Sequence, residues 1–360
     1  MGDIHQYNFT VKSNIHDYEV NFIDSVKDTL ASELKDGDFI IIDNKVKSLY
    51  PEWFEEALAK FQYIGINATE PQKSYQEVEP VINTLIEKGF RKNHRLIAVG
   101  GGITQDVTAF IASILYRGVQ WYFFPTTLLA QGDSCIGSKT SINFGKFKNQ
   151  VGGFYPPNKI YVDPKFLESL PHKELQSGLG EMAHYYVVAS EEDFERYKRD
   201  YGGALTDKNI LRSVIARSLE IKKSYIEIDE YDKNERQVFN YGHSFGHAIE
   251  SLTNYGIPHG IAVSFGMDMS NFVSMKKGYI TAEVRHNSRE LFEKIWYGYV
   301  DQVKVLDIDT YLIALSKDKK NKGPLLGLIL NKGYGKVFKD FTENDATFRS
   351  WMKEYFTNEL

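Results

Sequence analysis

Three of the nine histidines lie in one short region, His243 and His247 in Asn240-Tyr241-Gly242-His243-Ser244-Phe245-Gly246-His247 and His259 in Pro258-His259-Gly260. His243 and His247 are four residues apart, so on a helix they share a face. Two imidazoles on one face, with a third beyond the next turn, suit a divalent cation at a catalytic site. Glu181 stands among small and apolar residues, in Gly178-Leu179-Gly180-Glu181-Met182-Ala183-His184-Tyr185. Burying a carboxylate there is costly unless it is paired or metal-bound. A lysine partner would also satisfy it. Glutamate, two histidines and water form a familiar catalytic zinc set. These residues predict a metal-dependent enzyme rather than a binding module.

A second group of motifs suits anions. Gly100-Gly101-Gly102 follows the apolar run Arg95–Val99 and precedes Asp106. Glycines after a strand let backbone amides approach a pyrophosphate, and the next helix adds its positive end. The same residues could make only a tight turn, and Gln105 departs from the usual dinucleotide fingerprint. Thr126 and Thr127 offer hydroxyls after the run Trp121–Phe124, suited to ribose or nicotinamide contacts. Asp133 and Lys139 offer opposite charges from one loop, and Lys146, Lys148 and Asn149 follow in a glycine-bounded segment. Such a cluster binds phosphate or is a solvated basic loop. Lys222, Arg236 and Asn240 precede the histidines; they matter only if their helices converge on a cleft. The single cysteine, Cys135, has no histidine close in sequence and reads poorly as a nucleophile.

The elements that must position these residues follow from periodicity. Phe39–Asp43, Arg95–Val99 and Trp121–Phe124 read as strands, and 77–88 and 106–116 as helices. Strand and helix alternating predict a mainly parallel, Rossmann-like α/β domain over 1–171. Helical patterns over 173–255 and 281–296 predict a mainly α-helical domain over 172–360. The 360 residues suit two domains. Charged residues are 25%, hydrophobic residues 42% and the net charge is -5, with no basic patch for nucleic acid. No apolar run approaches the roughly 20 residues that cross a bilayer. The polar first ten residues lack the apolar core of a signal peptide, and one cysteine permits no internal disulfide. A cytoplasmic location is expected.

Taken together, the chain resembles the 3-dehydroquinate synthase family of sugar phosphate cyclases from about Asp43 to Leu330. The matching segments are Gly-Gly-Gly-x-x-x-Asp at 100–106, Tyr-Arg-Gly at 116–118, Pro-Thr-Thr-Leu-Leu-Ala-Gln at 125–131 and Asp-Ser-x-x-Gly-x-Lys-Thr at 133–140. Lys148-Asn149, Gly-Leu-x-Glu at 178–181, the histidine segment and Asp-Lys-Lys at 318–320 complete the set. The resemblance implies NAD, a divalent metal (Zn2+, with Co2+ as an alternative) and a dehydroquinate synthase-like fold. It implies Glu181, His243 and His259 as metal ligands, which moves His247 from the metal to the leaving phosphate. Lys139, Asn149, Asn240 and His247, with Lys319 or Lys320, resemble phosphate contacts. Lys222 and Arg236 resemble a carboxylate-binding pair, and Asp133 a contact to a substrate hydroxyl. Asp43, Glu70, Lys73, Gly101, Gly102, Asp106, Thr126, Thr127, Lys139 and Lys148 fall on the cofactor side. Arg117 resembles an arginine that reaches a partner subunit's site, implying a homodimer. The implied reaction is a phosphate-eliminating cyclisation of an acidic sugar phosphate, a 3-deoxy-heptulosonate 7-phosphate, in the shikimate pathway of aromatic amino acid biosynthesis.

Three residues depart from the family pattern: His184 where lysine is usual, Ile261 where glutamate is usual, and Gln105 where a small residue is usual. They leave room for an amino-substituted, longer-chain or neutral sugar phosphate. A metal-dependent polyol dehydrogenase would share the plan but need no phosphate pocket. A non-catalytic scaffold would not need the complete metal and phosphate set.

Overall fold

The structure is a computed structural model that describes residues 4–145 and 147–360. Lys146, read above as part of the basic cluster, lies outside the described residues. The chain forms two compact units. One runs to Leu170 and takes back Lys222–Tyr231; the other comprises Pro171–Ile221 and Asp232–Leu360. A single cut after 171 therefore misses the return of 222–231. Long-range polar ties hold that segment in the first unit. Glu230, 3% exposed, accepts hydrogen bonds from Ser13 Oγ (2.6 Å), Asn14 N (2.7 Å) and Ser138 Oγ (2.8 Å). No local pattern signals such ties.

The first unit contains β1 (Phe9–Val11), β2 (Tyr18–Phe22), α1 (Val26–Glu33), β3 (Phe39–Asp43), α2 (Asn44–Leu49), α3 (Pro51–Lys60) and β4 (Gln62–Ile66). It continues with α4 (Tyr75–Glu87), β5 (Arg95–Gly100), α5 (Gly102–Ile114), β6 (Gln120–Pro125), β7 (Lys139–Phe144), β8 (Phe147–Phe154) and β9 (Lys159–Val162). Seven strands form one sheet in the order β1-β2-β9-β6-β5-β3-β4, parallel except for β1 against β2. Its central strands are buried on both faces, which is why they read as unbroken apolar runs. The chain lays β4 outside β3 and then returns to place β5 on the other side of β3. The order therefore reverses between β3 and β5, and a crevice opens beyond their carboxyl ends, where doubly wound sheets bind ligands. Those ends are Asp43 and Gly100-Gly101.

The second unit contains α6 (His172–Ala189), α7 (Glu191–Ala204) and the first turns of α8 (Lys208–Ile226). It goes on through α9 (His243–Leu252), α10 (His259–Lys276), α11 (Ala282–Ile295), α12 (Val300–Lys304) and α13 (Ile308–Ser316). It closes with the antiparallel pair β10 (Leu325–Asn331) and β11 (Val337–Glu343), then α14 (Ala346–Glu354). Helix α10 is buried from Gly260 to Ser274 and forms the centre. Glycines let its neighbours reach its backbone. A Cβ on Gly260 would lie 1.9 Å from Ser177 O, and one on Gly266 would lie 1.9 Å from Gly242 O. The first contact brings α6 against the start of α10, and the second brings in the start of α9. No described helix is long and apolar enough to cross a membrane.

Candidate functional site

Those two helix crossings bring together the candidate metal ligands. Glu181 follows Gly180 in α6, His243 opens α9 just after Gly242, and His259 opens α10 just before Gly260. His243 Nε2 lies 3.3 Å from Glu181 Oε1, and His259 Nε2 lies 3.4 Å from Glu181 Oε2. The other ring nitrogens are engaged elsewhere. His243 Nδ1 is 3.2 Å from Tyr241 O and His259 Nδ1 is 3.1 Å from Glu250 Oε2. Both partners accept, so each Nδ1 carries a proton, and each Nε2, facing Glu181, is the atom that would ligate a cation.

This set fits a zinc-like cation on three counts. The donor atoms lie within 4.8 Å of one another. Donors on a tetrahedral cation with bonds of about 2.0–2.1 Å stand roughly 3.3 Å apart, as the two imidazoles stand from the carboxylate. Glu181 is 3% exposed, and its Oε2 is buried without a hydrogen bond, a costly condition that a cation relieves. Burial opposes ionisation of Glu181, but His243, His259 and His184 together hold its carboxyl well below the usual range. His247, Glu250 and His259 form a second close group. There His259 Nδ1 is already hydrogen-bonded to Glu250, so this group supports the first rather than forming a separate centre.

His247 is exposed and stands 5.5 Å from His243 and 5.7 Å from His259 between ring centroids. Desolvation, then the positive charges of His243, His259 and Lys320, push its pKa down to about 3. Lys320 Nζ is 2.8 Å from Asp318 Oδ2, and Lys319 is exposed. His184, expected in the substrate shell, is instead 1% exposed. Its Nδ1 is 3.6 Å from Glu181 Oε1, and its ring packs on Tyr185 and Phe239. A short imidazole one helical turn beyond Glu181 folds back against that carboxylate instead of reaching outward. Arg236 (4% exposed) and Asn240 lie in the 3-10 turn Glu235–Asn240, where Asn240 Nδ2 donates to Gln237 O at 3.1 Å. Ile261 is fully buried, so no charge is present at that position beside His259.

In the first unit, α5 begins at Gly102 directly after β5, and no side chain caps it. Its first amides therefore point toward the crevice at the reversal of strand order. A Cβ on Gly101 would lie 2.9 Å from Thr127 Cγ2, whereas one on Gly102 would lie no closer than 3.9 Å, at Ser134 Oγ. The open side of Gly102 suits a pyrophosphate. Thr126 N donates to Gly100 O at 2.9 Å, and Thr127 Oγ1 accepts from Ala130 N at 3.2 Å, which fixes both threonines after β6. Gln105 exchanges hydrogen bonds with Ser134 (2.6 and 2.7 Å) and ties the 130–134 turn to α5. Asp43 caps α2 through Lys45 N (2.9 Å), and burial pushes its carboxyl up.

The antiparallel hairpin β7–β8 carries exposed Lys139, Lys148 and Asn149. It is docked on the residues assigned to the cofactor. Asp106 Oδ1 accepts from Ser141 N (3.1 Å), and Lys73 Nζ lies 2.5 Å from Asp106 Oδ2. Glu70 Oε1 accepts from Asn143 Nδ2 at 2.8 Å. Lys222 Nζ sits 2.8 Å from Asp133 Oδ1 and 2.6 Å from Asp133 O, so two residues expected at the substrate meet directly. Arg117 is exposed on a turn in which Tyr116, Arg117 and Gly118 have φ of 51°, 64° and 105°. Two successive left-handed non-glycine residues are costly and cluster at functional sites. Cys135 is 1% exposed and burial pushes its thiol up to about 12, which removes it as a nucleophile.

Two residues escaped the sequence reading, Glu250 and Asn143. Glu250 stands seven after His243, two helical turns on the same face, which is a usable signal. Asn143 has no motif to mark it.

Comparison with known proteins agrees with this geometry. Residues 63–177 match the 3-dehydroquinate synthase N-terminal family and residues 178–321 the 3-dehydroquinate synthase C-terminal family. A 3-dehydroquinate synthase of Buchnera aphidicola subsp. Cinara cedri is 37% identical over 298 residues, 82% of this chain and 81% of the relative. That of Alkaliphilus metalliredigens is 33% identical over 315 residues, 86% of this chain and 88% of the relative. A 2-deoxy-scyllo-inosose synthase solved with carbaglucose-6-phosphate, NAD+ and Co2+ shares the fold, with TM-score 0.84 and 24% identity over 97% of this chain and 99% of that one. So does a 2-epi-5-epi-valiolone synthase from Streptomyces hygroscopicus with NAD+ and Zn2+, at TM-score 0.77 and 24% identity over 93% and 94%. The chain belongs to the 3-dehydroquinate synthase family of enzymes.

Proposed function

We propose that the chain is an NAD- and divalent-metal-dependent cyclase. It takes 3-deoxy-arabino-heptulosonate 7-phosphate, or a close acidic relative, to a 3-dehydroquinate-like carbocycle with loss of phosphate. The observation that carries the reading is the Glu181–His243–His259 geometry, in a chain whose relatives at 33–37% identity are 3-dehydroquinate synthases. Glu181, His243 and His259 would hold the metal, and the amides after Gly101 would take the NAD pyrophosphate. When bound, NAD supplies reversible hydride transfer and the metal polarises substrate oxygens.

The chain's own residues bind and orient. Lys139, Lys148 and Asn149 offer two cations and an amide to a phosphate. Asp133, oriented by Lys222, presents a carboxylate oxygen to a ring hydroxyl. Arg236 supplies a fork-shaped donor set for a carboxylate, a group that a neutral sugar phosphate lacks. His247 is uncharged at neutral pH and so accepts a hydrogen bond at a ring nitrogen. Arg117, exposed on its strained turn, would serve the site of a second copy if the chain forms a homodimer.

The test uses purified protein with NAD and Zn2+ or Co2+, given acidic and neutral sugar phosphates. Release of inorganic phosphate and a carbocyclic product by mass spectrometry, without net NADH, is the expected result. Net NADH without phosphate release would instead make the chain a polyol dehydrogenase.

A further inference from the structure

The β7–β8 hairpin is irregular at the place where it carries its anion-facing residues. Ile142 pairs with Val151, and Phe144 pairs with Phe147. Between those pairs β7 has one residue, Asn143, and β8 has three: Lys148, Asn149 and Gln150. Such a bulge breaks the ladder and re-aims side chains. Asn149 adopts φ of 54°, a left-handed conformation that asparagine tolerates better than most residues. The register of the ladder is broken at that point. There the Oδ1 of Asn143 accepts Asn149 N–H at 2.9 Å.

The other end of the same side chain reaches the cofactor side. Asn143 Nδ2 donates to Glu70 Oε1 at 2.8 Å and to Glu70 O at 3.3 Å. Ser74 also pairs with Asn143 as an isolated parallel bridge. Asn143 is 7% exposed, while Lys148 and Asn149 are exposed. One buried amide thus bridges the Glu70–Lys73 turn to the exposed edge of the hairpin.

We infer that Asn143 is a positioning residue, whose side-chain amide spans the break in the ladder register and fixes Lys148 and Asn149 against the Glu70–Lys73 turn. That these residues meet a phosphate rests on the proposed function; the positioning itself does not. Asparagine suits the place because it donates and accepts at once. Aspartate keeps the acceptor for Asn149 but sets a negative charge against Glu70.

Three variants test this: Asn143→Ala, Asn143→Asp, and Asn143→Asp combined with Glu70→Gln. Amide exchange by mass spectrometry, on the protein without ligands, should rise about tenfold over 147–150 in both single variants, the loss of about one hydrogen bond. It should return toward the natural rate in the double variant, whose glutamine can donate to the new carboxylate. At saturating NAD, KM for the heptulosonate phosphate should rise about tenfold in Asn143→Asp with kcat within about twofold, since a ground-state contact is lost. Exchange unchanged over 147–150, exchange raised evenly across the first unit, or no recovery of exchange in the double variant would overturn the inference. If Asn143→Ala does not fold, the aspartate pair decides alone. If the natural protein does not turn over the sugar phosphate, the proposed function fails, while exchange still decides the positioning.

Discussion

The Nδ1 atom of His259 lies 3.1 Å from Glu250 Oε2, while the Nε2 atom of the same ring lies 3.4 Å from Glu181 Oε2. One imidazole therefore joins two glutamates of different duty. Glu250 sets its tautomer, and Glu181 shares its lone-pair side. Removing a partner of a metal-binding histidine usually costs about 10–100-fold in affinity. Glu250→Ala should weaken Zn2+ binding by about that factor, read by competition with a chromogenic chelator. An unchanged affinity in the folded variant would leave Glu250 without an orienting role.

Metal removal should lower stability as well as activity. Glu181 is buried with one oxygen lacking a hydrogen bond, a condition that a bound cation would relieve. A ligand that binds only the folded state at about 100 times its Kd adds roughly 2.7 kcal/mol. Chelator treatment should lower Tm, and Zn2+ or Co2+ should restore it. Glu181→Gln should abolish the metal-dependent part of the shift.

The Lys222–Asp133 pair should be coupled. The side chains are 8% and 18% exposed. Breaking a buried pair from one side costs about 3–5 kcal/mol, and the partial exposure of Asp133 argues for the lower end. Lys222→Met and Asp133→Asn should each lose stability and turnover. The double variant should lose clearly less than the sum of the single losses, measured by denaturant unfolding and initial rates. Additive losses would mean that the pair does not act as a unit.

Cys135 should be inert in the folded protein. Its thiol is buried and pushed up to about 12, so little thiolate forms near neutral pH. Iodoacetamide should label it only in denaturant, as counted by intact mass, and Cys135→Ala should keep its turnover. Rapid labelling of the native protein would contradict the burial.

Asp193 gives a pH dependence with a definite sign. A hydrogen bond from Arg217 Nε (2.8 Å) is the main cause holding its carboxyl below the usual 3.8. The folded pKa lies below the unfolded one, so the contribution is complete above 3.8 and is lost as pH falls through the folded value. The Arg217 side chain is 36% exposed, and solvent screening limits the effect to about 1 kcal/mol or less. Asp193→Asn should be less stable at neutral pH, and its deficit should vanish in strong acid. A deficit independent of pH would point to lost packing instead.

Much was legible in the sequence because it is local. Phe39–Asp43 and Arg95–Gly100 are strands as their apolar runs predict. The helix expected over 106–116 begins earlier, at Gly102, with extended Gly101 as its N-cap, and it ends at Ile114, where the left-handed turn at Tyr116 intervenes. The hairpins β7–β8 and β10–β11 were not foreseen. Their pairing is set by partners on another stretch of chain, and β8 is mostly exposed, so it carries no alternation to read.

By itself the sequence determined the donor inventory and the helices that bear it. Residue type and spacing are intrinsic to the chain, and order along it identifies the family. Only the tertiary structure decided which donors meet. Gly180–Gly260 and Gly242–Gly266 contacts set how closely three helices approach, and so place Glu181 between His243 and His259. It also turned His184 inward, joined Lys222 to Asp133 and gave Asn143 its bridge. Each of these depends on close packing or a hydrogen bond between residues far apart in sequence, and such contacts have no local signature.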